Sequence, residues 1–376
     1  MRALKATLAL IAGLGLTHAS PYAFAAPTQP HVVFVMTNAA DKNEVIAFHE
    51  NPNNSSGYES TRYATGGRGS GGVTDPLGSQ GSLLLSQDHN LLFAVNAGSG
   101  DISVFRVQNG ALHLADTEPS GGSEPVAVAQ WGSILYVVNA GGYGSVAAFQ
   151  IGPNGTLKQI KDSTVHLNGD LGGGSSISIR PDGKFLAVTE RGFNNIDTFP
   201  IHVDGTLGPI VVNHSTAPGV FSAAFDINGV LLVSETGPAG ASNASAISSY
   251  WVTDGGALSV VTQSLAAYGA GNCWNAITPD GKRIYTSNSA SSTLSGFNVS
   301  ASGALTPIAS TVVGTNPAGS INLDIAISSD GRYLFSLNSG SGTISVFGIN
   351  SDGTLTLLLD PSAVDPSSGV NGIATL

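Results

Sequence analysis

Two glutamates stand where most copies of a recurring segment have asparagine. The segments read MTN, AVN, VVN, VTE, VSE, TSN and SLN, and each one ends a short apolar stretch. Their last residues are Asn38, Asn96, Asn139, Glu190, Glu235, Asn288 and Asn338. Asparagine commonly bonds the backbone of its own turn, and glutamate is a poorer turn former. Glu190 and Glu235 are therefore the candidates for a general acid or base, since crowded carboxylates raise each other's pKa.

Other polar and aromatic residues belong to the same candidate site. Arg191 directly follows Glu190, and its guanidinium can hold a ligand carboxylate through two hydrogen bonds or pair with a neighbouring acid. A tryptophan beside carboxylates suits a sugar or lactone ring, although Trp274 is also explained by ordinary packing. The predicted ligand-binding residues are Arg191, Glu124, Trp274, Asn272, Asp324, Asn139, Asn288, Asn338 and Arg68.

A repeat of about 50 residues must position these side chains. A Gly-(Ala/Thr)-Leu marker recurs at Gly110, Gly155, Gly205, Gly256, Gly303 and Gly353. About half a period earlier lies a second turn, such as the PDGK that begins at Pro181, in which Asp-Gly supplies the positive φ of a tight hairpin. The segments between the turns alternate with period two, and none keeps a helical period. Each repeat is therefore predicted to contain four short antiparallel strands.

Repeats of this length and content predict an all-β fold, a seven-bladed β-propeller. Six marked units are visible, and residues 31–52 begin a seventh that lacks its inner strand. The segment GVNGIATL at 369–376 reads as that strand, so the C-terminal strand is expected to complete the first blade and close the ring. Residues 31–376 are thus expected to form one domain.

Both sets of repeated turns fall on one face of the predicted propeller, which we call the bottom. The top face carries the starts of the inner strands and the ends of the second strands. The candidate residues above are therefore expected around the top mouth of the central channel. A Gly-rich insertion over residues 57–81 precedes the second blade, and it is either a lid over this mouth or a flexible loop.

The N-terminus predicts export. Arg2 and Lys5 precede a short apolar run and an Ala-Phe-Ala cleavage site, which is typical of a signal peptide over residues 1–25, with a short linker at 26–30. The expected location is extracellular or periplasmic. The net charge of −11 and the lack of a basic patch argue against nucleic-acid and anionic membrane partners. We expect a monomer that binds a small lactone or a carbohydrate-like ligand.

No cofactor is predicted from the sequence. The histidines lack zinc-like spacing, and the G-x-G-x-x-G at Gly67 is not followed by the helix that a dinucleotide site needs. Cys273 has no neighbouring histidine in the sequence and is expected to be a small buried residue. Carboxylate and amide oxygens at the mouth are also suitable ligands for Ca²⁺, so a calcium-binding mouth remains an alternative.

The blade motifs resemble a known family. RPDGKFLAVTERGFNNIDTF, TPDGKRIYTSNSASSTLSGF and SSDGRYLFSLNSGSGTISVF are similar to the signature of lactonase-like seven-bladed propellers, which include 6-phosphogluconolactonases and carboxymuconate cyclases. Within that family the chain looks like a member of a secreted branch. The resemblance implies a hydrolase or lyase that acts in the cleft. The family's cleft glutamate matches Glu235. The family's arginine and histidine before this blade are replaced by APGVFS at 217–222.

Two functions are compatible with these observations. The first is an exported lactonase or lyase acting on a sugar-derived or aromatic lactone, with Glu235 or Glu190 as the acid or base and Arg191 holding a substrate carboxylate. The second is a non-catalytic propeller that binds a glycan, metabolite or protein through the same mouth.

Overall fold

The blades are seven antiparallel sheets. The computed structural model describes residues 31–51, 53–54 and 57–376. Within them the chain forms six sheets of four strands, a seventh with one additional short strand, and a single 3₁₀-helix at Pro366–Ser368. The predicted seven-bladed β-propeller with four antiparallel strands per blade is therefore confirmed. The predicted signal peptide (1–25) and linker (26–30) lie outside the described residues.

The strands follow the order of the repeats along the chain. Those of the first three blades are β1 (Val32–Met36), β2 (Glu44–Glu50), β3 (Tyr58–Ala64), β4 (Leu83–Leu85), β5 (Leu91–Asn96), β6 (Asp101–Gln108), β7 (Ala111–Pro119), β8 (Pro125–Trp131), β9 (Ile134–Asn139), β10 (Ser145–Ile151), β11 (Leu157–Gln159) and β12 (Val165–His166). Those of the fourth and fifth are β13 (Gly174–Ile179), β14 (Phe185–Glu190), β15 (Asn195–Pro200), β16 (Val211–His214), β17 (Val220–Phe225), β18 (Val230–Glu235), β19 (Ala246–Val252) and β20 (Leu258–Ala266). The rest are β21 (Asn272–Ile277), β22 (Arg283–Asn288), β23 (Thr293–Val299), β24 (Leu305–Thr315), β25 (Asn322–Ile327), β26 (Tyr333–Asn338), β27 (Thr343–Ile349), β28 (Leu355–Leu359) and β29 (Ile373–Thr375).

The last strand closes the ring. β29 pairs antiparallel with β1, with Val33 opposite Thr375 and Val35 opposite Ile373. The first blade therefore has the order β29-β1-β2-β3, as predicted. Closure places the inner edge of β1 in a ladder, so it is not left open to another chain.

The repeated glycines have a structural reason. The marker glycines from Gly110 to Gly353 all have positive φ, for example 85° at Gly205, which strains other residues. Several of these turns also join neighbouring blades. The Tyr136 hydroxyl donates to the Gly205 carbonyl at 2.9 Å, and the Tyr285 hydroxyl donates to the Gly353 carbonyl at 2.8 Å. The same turn therefore ends a hairpin of its own blade and bonds that hairpin to the preceding blade.

The insertion begins later than its predicted boundary. Tyr58–Ala64, within the predicted 57–81 insertion, form the outer strand β3, which pairs with β2 along its whole length. The sequence YESTRYA does not alternate between apolar and polar residues, because most of this edge strand faces solvent. The irregular segment that follows therefore covers residues 65–81.

The part of the chain that the structure describes contains no helix with the length and apolar character needed to cross a membrane. The buried apolar residues form several clusters where blades pack against one another.

Candidate functional site

The irregular segment 65–81 runs across the top of the propeller. Its first part is attached to the first two blades. Asn38 accepts a hydrogen bond from the Ser70 amide and donates to the Ser70 hydroxyl at 2.8 Å, and the Gly98 amide donates to the Arg68 carbonyl. The segment is therefore fixed by specific contacts, which supports the lid alternative over a flexible loop.

Its last part, residues 75–81, enters the central channel, and we call it the plug segment. The Ser79 hydroxyl donates to the Val126 carbonyl in β8 at 2.9 Å, and the Gln80 amide donates to the Ser175 carbonyl in β13 at 2.8 Å. The Gln80 side chain donates to the Asn275 carbonyl and to the Asp324 carboxylate. These bonds attach the plug segment to four blades.

Asp75 begins the plug segment in a strained conformation. Its φ is 42°, a left-handed value that is uncommon for a residue with a side chain and is often found at functional sites. Its Oδ1 accepts from the Gly78 amide at 2.9 Å and from the Asn371 side chain at 3.3 Å. No donor in the described residues contacts Oδ2. Burial raises the pKa of the Asp75 carboxyl to about 7, although the Arg191 charge and the two hydrogen bonds oppose this rise.

Arg191 lies against the plug segment. A side chain at Gly78 would overlap its guanidinium, and the guanidinium carbon lies 5.4 Å from the centre of the Phe221 ring. Phe221 in turn meets the Trp274 ring edge-on at 4.9 Å. Within the described residues the guanidinium makes no hydrogen bond or ion pair, and the residue is exposed. Its N–H donors are therefore available to a ligand.

A cavity of about 640 Å³ lies at this top face, and we call it the mouth cavity. Asp75, Arg191, Glu124 and Asp170 line it, together with Leu171 and several glycines. Asp75, Glu124 and Leu171 all have positive φ, at 42°, 56° and 69°. Such residues persist only where their surroundings hold them, and three of them around one cavity make this cavity the candidate site.

The two glutamates predicted to be catalytic do not face the mouth cavity. Glu235 is fully buried and accepts from the Ser215 hydroxyl at 2.6 Å, from the Ser248 hydroxyl and from the Ala217 amide. Burial raises the pKa of Glu235, against these bonds. Glu190 is also fully buried, and Asn168 donates to both of its oxygens. Both glutamates thus hold the segment that leads from the preceding blade into their own.

The predicted ring of asparagines is also buried inside the blades. Asn288 donates to Ser295 at 2.8 Å, Asn338 donates to Ser345 at 2.7 Å, and Asn139 donates to the Ser120 carbonyl. Asn272 donates to the Ala246 carbonyl at 2.7 Å and is fully buried. These side chains bond turns and neighbouring strands, so the expectation that they line the mouth needs correction.

The remaining predicted residues lie at three different depths. Trp274 is 1% exposed, and its indole N–H donates to the Ser79 carbonyl at 2.8 Å, so it supports the plug segment from below. Asp324 lines the channel cavity of about 400 Å³ beneath Gln80, and burial raises its pKa to about 7. Arg68 is exposed above the second blade, outside the mouth cavity.

Of the predicted residues, the mouth cavity brings together only Arg191 and Glu124. Asp75 and Asp170 were missed, because neither belongs to the repeat. The Asp-Pro pair at Asp75, just after a Gly-rich stretch, was the one signal of a fixed turn in the insertion. Cys273 is buried, and burial raises the pKa of its thiol to about 12, which keeps it protonated at neutral pH. Among residues 31–51, 53–54 and 57–376, no group of three or more His, Cys, Asp or Glu side chains could hold a metal ion.

Solved structures share the fold over nearly the whole chain. A candidate 6-phosphogluconolactonase from Bacteroides fragilis is 20% identical with a TM-score of 0.68, covering 94% of this chain and 100% of its own. A protein from Lactobacillus plantarum is 18% identical with a TM-score of 0.69, covering 93% and 100%. The periplasmic gluconolactonase of Pseudomonas aeruginosa is 17% identical with a TM-score of 0.67, covering 93% and 99%. At these identities the likeness shows the fold alone.

The family comparison is more specific. None of the curated proteins compared with the chain matches it. Two overlapping stretches, residues 76–174 and 132–235, match the family described as "Lactonase, 7-bladed beta-propeller". These stretches include the plug segment from Pro76 and the mouth residues Glu124, Asp170 and Arg191. Together with the seven blades, they confirm the resemblance drawn from the sequence motifs: the chain is a seven-bladed β-propeller that is similar to this lactonase family over residues 76–235.

Proposed function

We propose that the chain is an exported lactonase that hydrolyses an unphosphorylated, sugar-derived lactone in the mouth cavity. The observation that carries this proposal is the meeting of Asp75 and Arg191 at one cavity. A half-buried carboxyl with a pKa near 7 lies there beside a guanidinium that has no hydrogen-bond partner in the described residues. The predicted signal peptide supports export, and one structural neighbour is named as periplasmic.

A lactone is a cyclic ester, and its hydrolysis needs a base and an anion-stabilising group. In the proposed reaction, Oδ2 of Asp75 takes a proton from water, and the water oxygen bonds to the lactone carbonyl carbon. The bond between that carbon and the ring oxygen then breaks, and the ring oxygen receives the proton from Asp75. Arg191 donates hydrogen bonds to the carbonyl oxygen while it carries negative charge. The product carboxylic acid then releases its proton to solvent, and Arg191 donates to the resulting carboxylate.

The charges around the cavity favour a neutral sugar lactone over more acidic substrates. Asp75, Glu124 and Asp170 provide three carboxyl groups against one guanidinium. A phosphate or a second carboxylate on the substrate would meet more repulsion than attraction here. Hydroxyl groups, in contrast, can donate to Glu124 and Asp170. An aromatic dicarboxylate lactone, and the cyclase reaction that would form one, therefore fits this mouth less well.

The proposal is tested by turnover of a panel of lactones. The panel contains gluconolactone, galactonolactone, 6-phosphogluconolactone and an aromatic lactone, followed by acid release at constant pH. We expect turnover of the neutral sugar lactones, and a loss of about 100-fold or more in kcat for Asp75→Asn because the base is removed. Arg191→Ala should lose about 10- to 100-fold, as expected for an anion-stabilising group.

Two matched variants control for general damage. Asp162→Asn changes an exposed aspartate that also has positive φ, and Arg106→Ala removes an exposed arginine from β6. Both should retain wild-type activity. Absence of turnover on the whole panel, or full activity in Asp75→Asn, would refute the proposal. Lactone binding without turnover would instead support the non-catalytic alternative.

A further inference from the structure

Two aromatic side chains and a leucine stand exposed beside the mouth cavity. Tyr143 is 61% exposed, Phe193 is 41% exposed and Leu171 is 88% exposed, and we call these three residues the apolar rim. Large apolar residues grouped in this way on a surface commonly mark a binding site. This group is not visible in the sequence, because its members lie in three separate top turns.

The apolar rim is continuous with the cavity. A methyl group added at Gly169 would lie 3.8 Å from the Phe193 ring and 3.9 Å from the Tyr143 ring, so both rings flank this glycine. The next residue, Asp170, lines the mouth cavity, as do Leu171 and Gly142, the residue before Tyr143. Phe193 follows Arg191 by two residues. A ligand that leaves the cavity on this side therefore passes over the apolar rim.

The mouth cavity is larger than one lactone ring requires. Its volume of about 640 Å³ is comparable to the ~300–1,000 Å³ of pockets that enclose drug-sized ligands. A six-carbon sugar lactone is much smaller than such a ligand. Bound beside Asp75 and Arg191, it would leave much of the cavity unfilled.

Building on the proposed function, we propose that the substrate is a sugar lactone carrying a second sugar ring, and that this second ring lies against the apolar rim. Aromatic faces pack well against the C–H face of a sugar ring. The flanking carboxylates Glu124 and Asp170 accept hydrogen bonds from its hydroxyl groups. An anionic extension would be repelled by these carboxylates, and a purely apolar one would leave them without partners.

The test compares one-ring and two-ring ligands in binding and in turnover. Calorimetry measures the dissociation constants of gluconate and cellobionate, the product acids, which need no reaction to bind. Initial rates give kcat/KM for gluconolactone and cellobionolactone. The wild type should prefer the two-ring member of each pair by about tenfold, the size expected for one additional aromatic contact.

Variants of the apolar rim test whether the preference for two-ring ligands depends on these side chains. Tyr143→Ala and Phe193→Ala should each reduce the preference about threefold to tenfold and leave the one-ring values within about twofold of wild type. Tyr268→Ala is the matched control, since Tyr268 is 60% exposed and lies outside the mouth cavity. It should change neither value.

The outcomes separate this inference from the proposed function. Equal binding of gluconate and cellobionate by the wild type, or a preference that both rim variants retain, would overturn the second-ring subsite. Turnover of neither lactone would contradict the lactonase proposal alone. A cellobionate preference that the rim variants abolish would still support the subsite in that case.

Discussion

Glu190 and Asp197 show how two changed side chains alter a repeated contact. In three other blades an asparagine at the end of the second strand donates to a serine seven residues later, as Asn96 does to Ser103 at 2.7 Å. In the fourth blade these positions hold Glu190 and Asp197, both fully buried. Asn168 donates to both carboxylates and thereby fixes the turn that leads to Asp170 at the mouth. Burial and the facing Glu190 raise the pKa of Asp197.

This pair predicts a pH-dependent stability. The folded-state pKa of Asp197 is raised to about 8, above its unfolded value of about 4. The folded state therefore binds this proton more tightly than the unfolded state does. The stabilisation that protonated Asp197 gives the folded state is complete below pH ~4 and is lost as the pH rises to ~8. The free energy of unfolding falls by at most about 1.4 kcal/mol per pH unit over this range. The raised pKa values of Asp75 and Asp324 also lower the free energy of unfolding as the pH rises, up to a pH of about 7.

The variant Asp197→Ser isolates the contribution of the pair. It gives Glu190 a hydroxyl donor, as Ser248 does for Glu235 at 2.8 Å. We expect the loss of unfolding free energy between pH 5 and pH 8, measured by denaturant titration, to be smaller in this variant than in the wild type. Asp254→Ser changes an exposed turn residue and should leave the loss unaltered. Equal losses in Asp197→Ser and wild type would contradict this assignment.

At the scale of elements, the plug segment connects the blades to the residues of the proposed site. Trp274 lies under it and donates to the Ser79 carbonyl, and the Phe221 ring lies between Trp274 and Arg191. The predicted role of Trp274 as a ligand-binding residue is therefore replaced by a supporting role. A single indole positions both the plug segment and the arginine of the proposed site.

Trp274→Phe should separate this support from packing. The variant keeps an aromatic ring but leaves the buried Ser79 carbonyl without its donor, which costs about 1–3 kcal/mol of unfolding free energy. We also expect a lower kcat/KM for lactones, because the plug segment carries Asp75. Trp251→Phe removes a similar hydrogen bond, from the indole to the Ser302 carbonyl at 3.1 Å, on the side of the propeller away from the mouth. Loss of activity in Trp251→Phe but not in Trp274→Phe would count against the supporting role.

The sequence predicted the blades more completely than the site. Every blade repeats the same turns, so Gly205 or Gly353 can be recognised by comparison with the other copies. Asp75 and Gln80 have no copy elsewhere in the chain, and their places depend on contacts with strands of several distant blades. Glu235 was placed correctly at the top end of its strand. Its side chain turns into the blade to bond Ser215 and Ser248, which period-two alternation does not reveal.

At the scale of the whole molecule, ring closure and the proposed site depend on the same segment. Asn371 precedes β29, donates to Asp75 and accepts from the Ser82 hydroxyl at 3.0 Å. The backbone amide of Ile373 bonds Asp324, and this carboxylate in turn accepts from Gln80. The end of the chain thus completes the first blade and contacts both acidic groups near the plug segment.

Deleting residues 369–376 should therefore reduce both stability and activity. The deletion removes the β29 ladder and the buried side chains of Val370 and Ile373, so we expect a loss of more than about 3 kcal/mol in unfolding free energy. A circular permutant is the control. Leu376 pairs with Val32, so a short turn can join residues 376 and 31, with new ends at the exposed residues Ser242 and Asn243. The permutant should fold, and a truncated chain as stable as the intact one would refute this role of closure.

The most direct test of the proposed site is the pH dependence of kcat/KM for a neutral sugar lactone. Asp75 acts as a base only when it is ionised, so kcat/KM should rise with pH through a value of about 7 and then level off. The residual activity of Asp75→Asn should show no such rise. A wild-type profile that is flat from pH 5 to pH 8, or a rise near pH 7 that persists in Asp75→Asn, would contradict the assignment of Asp75 as the base.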